Sequence, residues 1–379
     1  MADRETEVLA RIAAGVSSVD ATEWDRLATP QPFLSHAFLS ALEDSDSVGP
    51  GTGWTPAPLL IEHGHENLTA AAPAYLKTHS QGEYVFDHAW AEAWERAGGA
   101  YYPKLQIAVP FTPVPGPRLL GSHPLQLLAA VEAVTVQNDL SSAHITFLEE
   151  KDTQAAEARG WLPRHGLQYH WFNRGYRDFD DFVSTLSSRK RKAIRKERVA
   201  AREGLEFRAL RGAEIGPAEW EAMWHFYRDT GSRKWGRPYL TRSFFDLIGK
   251  RMGEAPLLFL AYRNGVPIAG ALNVIGPDTL YGRYWGTIDE VRFLHFELSY
   301  YQAIEWAIEQ GLQSVQAGAQ GEHKLARGYE PVITRSAHFI PNESFRRAVE
   351  NFLVEERAVI DSEAEWCRQQ LPYRSSESE

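Results

Sequence analysis

Short segments in both halves of the chain contain the apolar runs and alternations that are typical of strands. In the first half, 57–62 and 68–75 are joined by a polar turn. In the second half, 257–262 and 267–275 flank Asn264-Gly265, and Asn-Gly between apolar segments strongly favours a hairpin. Strands joined by tight turns are therefore expected in each half.

Segments with helical spacing of apolar residues lie among these strands. The pattern predicts amphipathic helices at 123–138 and 295–308. A chain of 379 residues exceeds one ordinary core, so two domains are expected. We predict an α/β (α+β) fold with a first domain at 1–165, a second at 166–341, and a C-terminal helix and polar tail at 342–379.

Chemically reactive side chains are densest in 312–331, which begins as a short strand and continues into a loop of small residues. Gly318 and Gly321 let backbone N–H groups approach a ligand, and successive exposed amides can bind an anion. Five candidate catalytic residues follow within eight positions: Glu322, His323, Lys324, Arg327 and Tyr329. An acid, an imidazole, two cations and a phenol suit a site that holds and protonates a substrate. The alternative is a polar connection whose charges are solvated.

The segment 77–118 is long, aromatic and weakly periodic, and five prolines between Pro103 and Pro117 favour an extended path. Long irregular segments in compact domains are usually functional or disordered, and so many aromatic residues argue against disorder. We expect its polar side chains to line an acceptor-binding pocket: Lys77, His79, Glu83, Tyr84, Asp87, Tyr101, Tyr102, Lys104 and Arg118. The alternative is an aromatic loop folded over its own core.

The predicted helix 180–202 concentrates positive charge, because eight of the fourteen residues of 189–202 are basic and one is acidic. The loop 231–240 interleaves further cations with aromatic residues, a mixture that suits stacking and phosphate contacts. We expect the following residues to bind the donor or its phosphates: Arg191, Arg195, Arg198, Arg233, Lys234, Arg237, Gly318 and Gly321. A nucleotide cofactor, tRNA or a lipid headgroup would satisfy this charge. The alternative is a solvated helix face.

Composition narrows the classes of protein that fit this chain. No apolar run approaches the roughly 18 residues of a membrane helix, and the acidic, polar start predicts no signal peptide. Cys367 is the only cysteine, which excludes an internal disulfide and suits a reducing cytoplasm. The net charge of −10 argues against a protein that coats nucleic acid without selectivity. Without a His-Glu-x-x-His motif or a cysteine pair, no metal site is expected.

The order hairpin, strand, helix, strand, glycine-bearing loop and terminal strand resembles the acyltransferase half-fold of the GNAT superfamily. Five phrases resemble the FemAB-like family of N-acyltransferases, once described as peptidoglycan biosynthesis or recognition proteins: HSQGEYVFDHAW, YYPKLQIAVPFTPVPGPRLL, SSRKRKAIRKER, FELSYYQAIEWAIEQGL and AGAQGEHKLARGY. The resemblance covers roughly 33–352. It implies tandem GNAT-like domains, as in FemABX-type transferases that join amino acids to peptidoglycan precursors, with the reaction centre between the two halves and the reaction loop at 317–330.

One departure from the family pattern concerns the donor. Relatives that use CoA usually carry Gln/Arg-x-x-Gly-x-Gly/Ala between the central strand and the next helix, where backbone amides bind pyrophosphate. That position holds GTIDEVRFLHFEL here, which has no second glycine. Acyl-CoA and aminoacyl-tRNA both stay open as co-substrates, with tRNA a partner in the second case and no tightly bound cofactor in either.

The resemblance and the residues together predict a cytoplasmic N-acyltransferase. It would move an acyl or aminoacyl group to an amine of a small-molecule, peptide or cell-wall-precursor acceptor. Backbone amides of 317–321 would polarise the donor carbonyl, His323 or Glu322 would accept the amine proton, and Tyr329 would protonate the leaving group. Lys324 and Arg327 would hold phosphate or carboxylate. The alternative is a non-catalytic binding module of the same fold that recognises a peptide, glycan precursor or phosphorylated ligand.

Overall fold

Backbone contacts divide the chain into two units. In the computed structural model, which describes residues 8–28, 30–63, 67–234, 238–318 and 321–374, unit 1 comprises Met1–Gly166 and Ile333–Ser362. Unit 2 comprises Leu167–Val332 and Glu363–Glu379. Each unit mixes strands and helices, so the α/β (α+β) class predicted from the sequence is confirmed. Of the helices in the described ranges, none is long and apolar enough to cross a membrane.

The strands range from two residues in β7 to eleven in β9. In chain order they are β1 (Val8–Ile12), β2 (Trp54–Pro56), β3 (Leu59–His63), β4 (Asn67–Ala72), β5 (Ala74–Lys77), β6 (Lys104–Ile107), β7 (Leu120–Gly121), β8 (Ala143–Leu148), β9 (Leu162–Phe172), β10 (Glu206–Arg211), β11 (Pro256–Arg263), β12 (Val266–Ile275), β13 (Thr279–Thr287), β14 (Ser314–Ala317) and β15 (Glu330–Phe339).

The helices range from a single turn to more than seven turns. They are α1 (Ala21–Leu27), α2 (His36–Asp44), α3 (His88–Arg96), α4 (Pro124–Gln137), α5 (Glu150–Ala158), α6 (Phe179–Ser184), α7 (Ser188–Arg202), α8 (Pro217–Lys234), α9 (Arg242–Arg251), α10 (Leu294–Phe296), α11 (Gln302–Glu309) and α12 (Glu343–Gln369). A π-helical turn, Glu297–Tyr301, joins α10 to α11, and a 3-10 turn, Glu322–Arg327, follows β14.

Unit 1 contains two groups of strands. One has the order β1-β3-β4-β7, and its β3–β4 pair is the antiparallel pair that the sequence pattern predicts in this half. In the other, β5 pairs with β2 and β6 in antiparallel fashion, and β6 runs parallel to β8. Helix α4 contributes Leu127, Leu128 and Val131 to the apolar core beneath these strands.

Unit 2 is built on the antiparallel run β10-β11-β12-β13, followed by β14 and β9. The predicted hairpin is confirmed between β11 and β12, where Arg263 pairs with Val266. Asn264 and Gly265 adopt φ values of 51° and 77° there. These left-handed values are the ones that a tight type I′ turn requires and that Asn-Gly tolerates.

Strands β13 and β14 are parallel neighbours that pair over four residues and then separate. Their pairing begins at Thr279 with Ser314 and ends at Gly282 with Ala317. Strand β13 continues along β12 as far as Thr287, whereas β14 ends at Ala317. The separation leaves an opening at the carboxyl end of β14.

The segment 294–309 is helical, as predicted from its apolar spacing, but it is not a uniform α-helix. Its π turn lies at Glu297–Tyr301, and π turns occur frequently at functional sites. Leu298, Ile304 and Ala307 bury its apolar side in the core of unit 2.

The prediction of one continuous helix at 180–202 is wrong, because the structure has two helices separated at 185–187. Ser187 has the extended conformation of an N-cap residue and begins α7. The Thr185 hydroxyl donates to the Phe182 carbonyl at 2.7 Å, and buried Leu186 pairs with Tyr373. These contacts end α6 and turn the chain before the basic helix starts.

Candidate active site

A cavity of about 160 Å³ lies in unit 2 where β13 and β14 part, and we call it the notch. It is lined by Ala271, Leu272, Asn273, Gly282, Arg283, Tyr284, Trp285, His295, Ser299, Tyr300, Ala317 and Gly318. These residues come from β12, β13, the helical segment 294–309 and the end of β14. The notch therefore lies at the start of the predicted reaction loop.

The notch offers backbone and side-chain polar groups to a ligand. Beyond Gly282, the edge of β13 that paired with β14 has no strand partner in the described part of the chain. The hydroxyl oxygen of Ser299, on the π turn, is buried and has no hydrogen-bond partner among the described residues. An unpaired strand edge can accept an extended ligand as an added strand.

Lys324 is buried beside the notch. Its side chain is 1% exposed, and its Nζ donates to the Gly318 carbonyl oxygen at 2.7 Å. No carboxylate of the described residues lies within 4 Å of this Nζ, and burial lowers the pKa of Lys324 to about 7. Buried His170 on β9 is close enough that Lys324 adds to the lowering of its pKa to about 3, most of which comes from burial.

His323 forms a hydrogen bond with a tyrosine of the helical segment. Its Nε2 lies 2.8 Å from the Tyr300 hydroxyl, and its ring packs on Phe296 and His295. The imidazole is exposed, so it is accessible to a substrate. Burial raises the pKa of Tyr300, so this phenol stays protonated near neutral pH.

Arg327 is engaged by groups of unit 2. It donates to Tyr301 Oη at 2.9 Å, to the His323 carbonyl at 2.8 Å and to Glu197 Oε2 at 2.8 Å. Its guanidinium lies 3.5 Å from the centre of the Phe296 ring. Tyr301 also donates to the same Glu197 carboxylate. This arrangement suits a residue that positions the reaction loop more than one that grips a substrate.

Tyr329 is fully buried, and its ring packs against Tyr300 with centroids 5.6 Å apart. Its hydroxyl has no hydrogen-bond partner in the residues that the structure describes. Gly318 and Gly321 have φ values of 74° and 121°, in the region that favours glycine. Glu322 lies in the 3-10 turn, but its side chain and the whole of 319–320 fall outside the described part.

The basic residues of α7 divide into paired and unpaired groups. Arg198 bonds to Glu297 at 3.1 Å and to Glu305 at 2.5 Å. Arg191 donates to the Ser184 carbonyl, and exposed Arg195 lies 3.3 Å from Asp180. Arg202 shares both glutamates with Arg198. The exposed face of α7 carries Arg189, Lys192 and Lys196, for which no ion pair is found among the described residues.

Three further cations were expected to bind donor phosphates. Arg233 and Lys234 form the last turn of α8, but their side chains lie outside the described part, as does all of Arg237. Their part in a donor site stays a prediction.

Six of the residues expected to bind the acceptor converge in unit 1. Lys104 Nζ donates to Glu83 Oε2 and Ser80 Oγ, each at 2.8 Å, and to Asp87. Tyr101 donates to Asp87 at 2.6 Å, and Tyr102 shares a 2.8 Å hydrogen bond with Ser80. Lys77 Nζ lies 3.8 Å from Glu83 Oε1. We call Lys77, Ser80, Glu83, Asp87, Tyr101, Tyr102 and Lys104 the buried polar cluster.

The buried polar cluster is closed to solvent at its charged groups, which are at most 4% exposed. Burial lowers the pKa of Lys77 to about 7 and raises that of Glu83 to about 7. Burial alone would also raise the pKa of Asp87, but the charge and hydrogen bond of Lys104, together with His144 and Ser80, outweigh burial and hold that pKa below its usual range. Such a closed arrangement is typical of a structural network, and an acceptor would reach it only if the segment opened.

The other three residues of the predicted acceptor set are held by different contacts or backbone geometry. Arg118 is fully buried and donates to the carbonyls of Val114 and Pro117. His79 hydrogen-bonds to the Thr52 carbonyl at 3.0 Å, and Tyr84 is half-buried with φ of 59°.

Sequence reasoning missed several polar residues around both sites. Glu197 is the single acid within the basic run of α7, and that exception is the one signal that could have identified it. Ser299 and His170 gave no signal. In unit 1, buried His144 shares a 2.7 Å hydrogen bond with His338 and lies 3.5 Å from the Tyr101 hydroxyl. No group of three or more metal-ligating side chains is found in the described residues.

Comparison with protein families gives one clear match. A model of the FemAB-like family, described as peptidoglycan biosynthesis/recognition, matches residues 15–375. No curated protein matches this chain in sequence.

Several solved structures are similar to this chain. FemX aligns at 13% identity and a TM-score of 0.51, over 83% of this chain and 94% of its own. L-PGS from Bacillus licheniformis aligns at 11% identity and a TM-score of 0.48, over 88% and 97%. A tandem GNAT protein from the clavulanic acid biosynthesis pathway aligns at 13% identity and 0.45, over 88% and 98%. The expectation of a tandem GNAT-like, FemABX-like fold is confirmed.

Proposed function

Because this chain belongs to the FemAB-like family, we propose that it is an N-acyltransferase whose reaction takes place at the notch of unit 2. It moves an acyl or aminoacyl group from an activated donor, acyl-CoA or aminoacyl-tRNA, to an amine. The description of the family as peptidoglycan biosynthesis/recognition favours a peptide or cell-wall-precursor amine as acceptor. Both donors are intracellular compounds, so we place the reaction in the cytoplasm.

The observation that carries this proposal is the parting of β13 and β14 next to the reaction loop. An activated donor with amide groups can lie along the free edge of β13 and pair with it as a strand would. Backbone N–H groups at that edge can then polarise the reacting carbonyl, which needs donors fixed in advance where negative charge develops.

The side chains around the notch suit acyl transfer to an amine. Lys324 and the hydrogen-bonded pair of His323 and Tyr300 provide groups that exchange protons within reach of the loop. Ser299 provides a buried hydroxyl that a substrate can use as a hydrogen-bond partner. Acyl transfer requires only positioning, polarisation and proton transfer, and no resident cofactor enters the proposal.

The decisive experiment offers the protein both donors with a panel of amines. Purified protein receives radiolabelled acetyl-CoA or charged tRNA, and N-acylated product is separated by chromatography. Product is expected with one donor, and loss of activity after RNase treatment assigns it to tRNA. Thermal stabilisation by ligands without any product would favour the binding-module alternative.

A variant that fills the notch tests its location. Ala317→Phe places a large ring in a 160 Å³ cavity, and turnover is expected to fall at least tenfold while the unfolding temperature changes little. Ala209→Phe, on the exposed face of β10, is the matched control. Full activity of a folded Ala317→Phe protein would place the reaction elsewhere.

A further inference from the structure

We propose that Lys324 is the general base that accepts the proton of the acceptor amine. The assignment rests on the acyl transfer proposed above, and it differs from the expectation that Lys324 holds phosphate or carboxylate. It gives this lysine a specific step in the reaction.

Lys324 is buried beside the notch and is connected to it through its backbone partner. Its Nζ donates to the carbonyl of Gly318, and Gly318 itself lines the cavity at the end of β14. A lysine Nζ carries three protons when it is charged, and two protons and a lone pair when it is neutral. An Nζ that donates one proton to a carbonyl can therefore still donate a proton to a substrate or, when neutral, accept one. In this proposal, an amine bound at the Gly318 end of the notch gives its proton to Nζ.

The surroundings of Lys324 favour its neutral form. The titratable and charged groups on the elements around it include His170 on β9, Glu197 on α7, Arg283 on β13, His295, Tyr300 and Tyr301 on the helical segment, and Glu322, His323, Arg327 and Tyr329 of the reaction loop. Glu197 is bonded to Arg327 and Tyr301. The Glu322 side chain lies outside the described part.

A buried ammonium that has one carbonyl partner and no carboxylate partner in the described residues regains only part of its lost hydration, so the neutral amine is favoured. Burial lowers the pKa of Lys324 to about 7, which is close to the ideal value for a base that works at neutral pH. An amine that loses its proton near neutral pH is a weaker ligand for phosphate than a permanent cation, and it is a competent proton acceptor. Lysines are known to become bases by this route.

The proposed step balances without an oxidant or reductant. The acceptor nitrogen attacks the donor carbonyl carbon and forms a C–N bond, while the C–S bond of a thioester or the C–O bond of an aminoacyl ester breaks. The proton released by the amine passes to Lys324 Nζ. Nζ then returns a proton to the departing sulfur or oxygen, which leaves the lysine neutral for the next cycle.

The first test measures the protonation of Lys324 without any turnover. The folded protein is treated with trace isotopically labelled acetic anhydride at pH values from 5 to 11, and labelling of each lysine is read by peptide mass spectrometry. Labelling of Lys324 is expected to have its midpoint near pH 7, against about 10.4 for exposed Lys250. A midpoint near 10, or no labelling at any pH, would overturn the assignment.

The second test uses the donor that gives product. Lys324→Arg keeps a cation that cannot lose its proton, and Lys324→Met keeps the volume without charge. Both are expected to lower kcat at least 100-fold with KM changed less, and added methylamine is expected to rescue Lys324→Met in part. The rate of the wild-type protein should rise with pH through about 7, and Lys250→Arg should behave like the wild type.

The two tests separate the possible failures. If no donor gives product, the proposed function fails, while the labelling midpoint still reports whether Lys324 is neutral. If product forms and folded Lys324→Arg retains its kcat and pH profile, the acyl transfer stands and Lys324 is not its base.

Discussion

At the scale of single residues, the Glu197–Arg327 ion pair is one of the contacts that hold the reaction loop. Arg327 is 7% exposed at its side chain and depends on Glu197 for its only carboxylate within the described residues. Glu197→Gln removes the charge and leaves the guanidinium partly buried. The free energy of unfolding is expected to fall by about 2 kcal/mol in urea titrations. Glu203 is exposed at the end of the same helix, so Glu203→Gln should leave the urea midpoint unchanged. A urea midpoint of Glu197→Gln equal to that of the wild-type protein would contradict the role of Glu197.

The lowered pKa of Lys77 predicts that the stability of the protein depends on pH. Its pKa is lowered to about 7 in the folded protein and is about 10.4 in an unfolded chain, so between these values the unfolded state binds the additional proton. Stability from this group therefore rises with pH from about 7 to about 10, by at most about 1.4 kcal/mol per pH unit. Glu83, whose pKa is raised to about 7, acts in the opposite sense, and its contribution falls between about pH 4.5 and 7.

Substituting Lys77 isolates its part of that curve. Lys77→Met is expected to remove the rise above pH 7, because the neutral side chain has no proton to exchange. Urea unfolding of both proteins at pH 7, 8 and 9 measures the difference in slope. Lys250→Met, on the exposed end of α9, is the matched control, and parallel curves for wild type and Lys77→Met would refute the prediction.

At the scale of elements, α7 is attached to the helical segment 294–309 by two glutamates that differ in burial. Glu297 lies in the π turn and is 0% exposed, whereas Glu305 is 34% exposed, and both contact Arg198 and Arg202. Glu297→Gln is expected to cost about 2–3 kcal/mol of unfolding free energy, because a fully buried carboxylate that pairs with two arginines is lost. Glu305→Gln should cost less than about 1 kcal/mol, since a half-exposed pair is weak. Equal losses in guanidinium chloride unfolding would show that burial does not decide the strength of these pairs.

The elements that could be predicted from the sequence are those that depend on local patterns. The hairpin at Asn264-Gly265 and the helical segment 294–309 follow from local patterns, because turn chemistry and apolar spacing act over a few residues. The break at 185–187 depends on the packing of Leu186 and on the N-cap at Ser187, which spacing alone does not show. The pairing of Arg198 with Glu297 joins residues 99 positions apart, so the basic run looked free of partners in the sequence.

The candidate site also combines features that could be predicted from the sequence with features that could not. The reaction loop could be recognised because its reactive residues lie within eight positions of one another. The notch could not, because it arises where β13 outlasts β14, and its lining comes from four separate stretches of chain. Ser299 lines the notch from the π turn. A π turn contains one residue more than an α-helical turn, so a regular helical projection does not show that Ser299 lies on this side.

At the scale of the whole molecule, each unit contains a pair of parallel strands, but their ends differ. In unit 1, β6 and β8 pair from Leu105 with Ala143 to Ile107 with Ile145. The proline-rich segment that follows β6 returns to this end, where the Gly116 N–H donates to the Phe147 carbonyl at 3.0 Å. In unit 2, the corresponding end of β13 and β14 forms the notch. The comparison favours unit 2 as the place where a donor binds.

The charge of the whole molecule makes the exposed face of α7 a testable surface. The chain carries a net charge of −10, so a polyanion such as tRNA is repelled except where cations are concentrated. Arg189→Gln/Lys192→Gln/Lys196→Gln removes three exposed cations that lack an ion pair within the described residues. The slope of log K for tRNA against log salt is expected to decrease by about 2, because each phosphate contact contributes about 0.7–0.9. Filter binding from 50 to 200 mM salt measures this slope.

A control triple variant, Arg96→Gln/Lys151→Gln/Lys250→Gln, changes the net charge equally at other exposed positions. The same slope in both triple variants would show that α7 is not the tRNA surface.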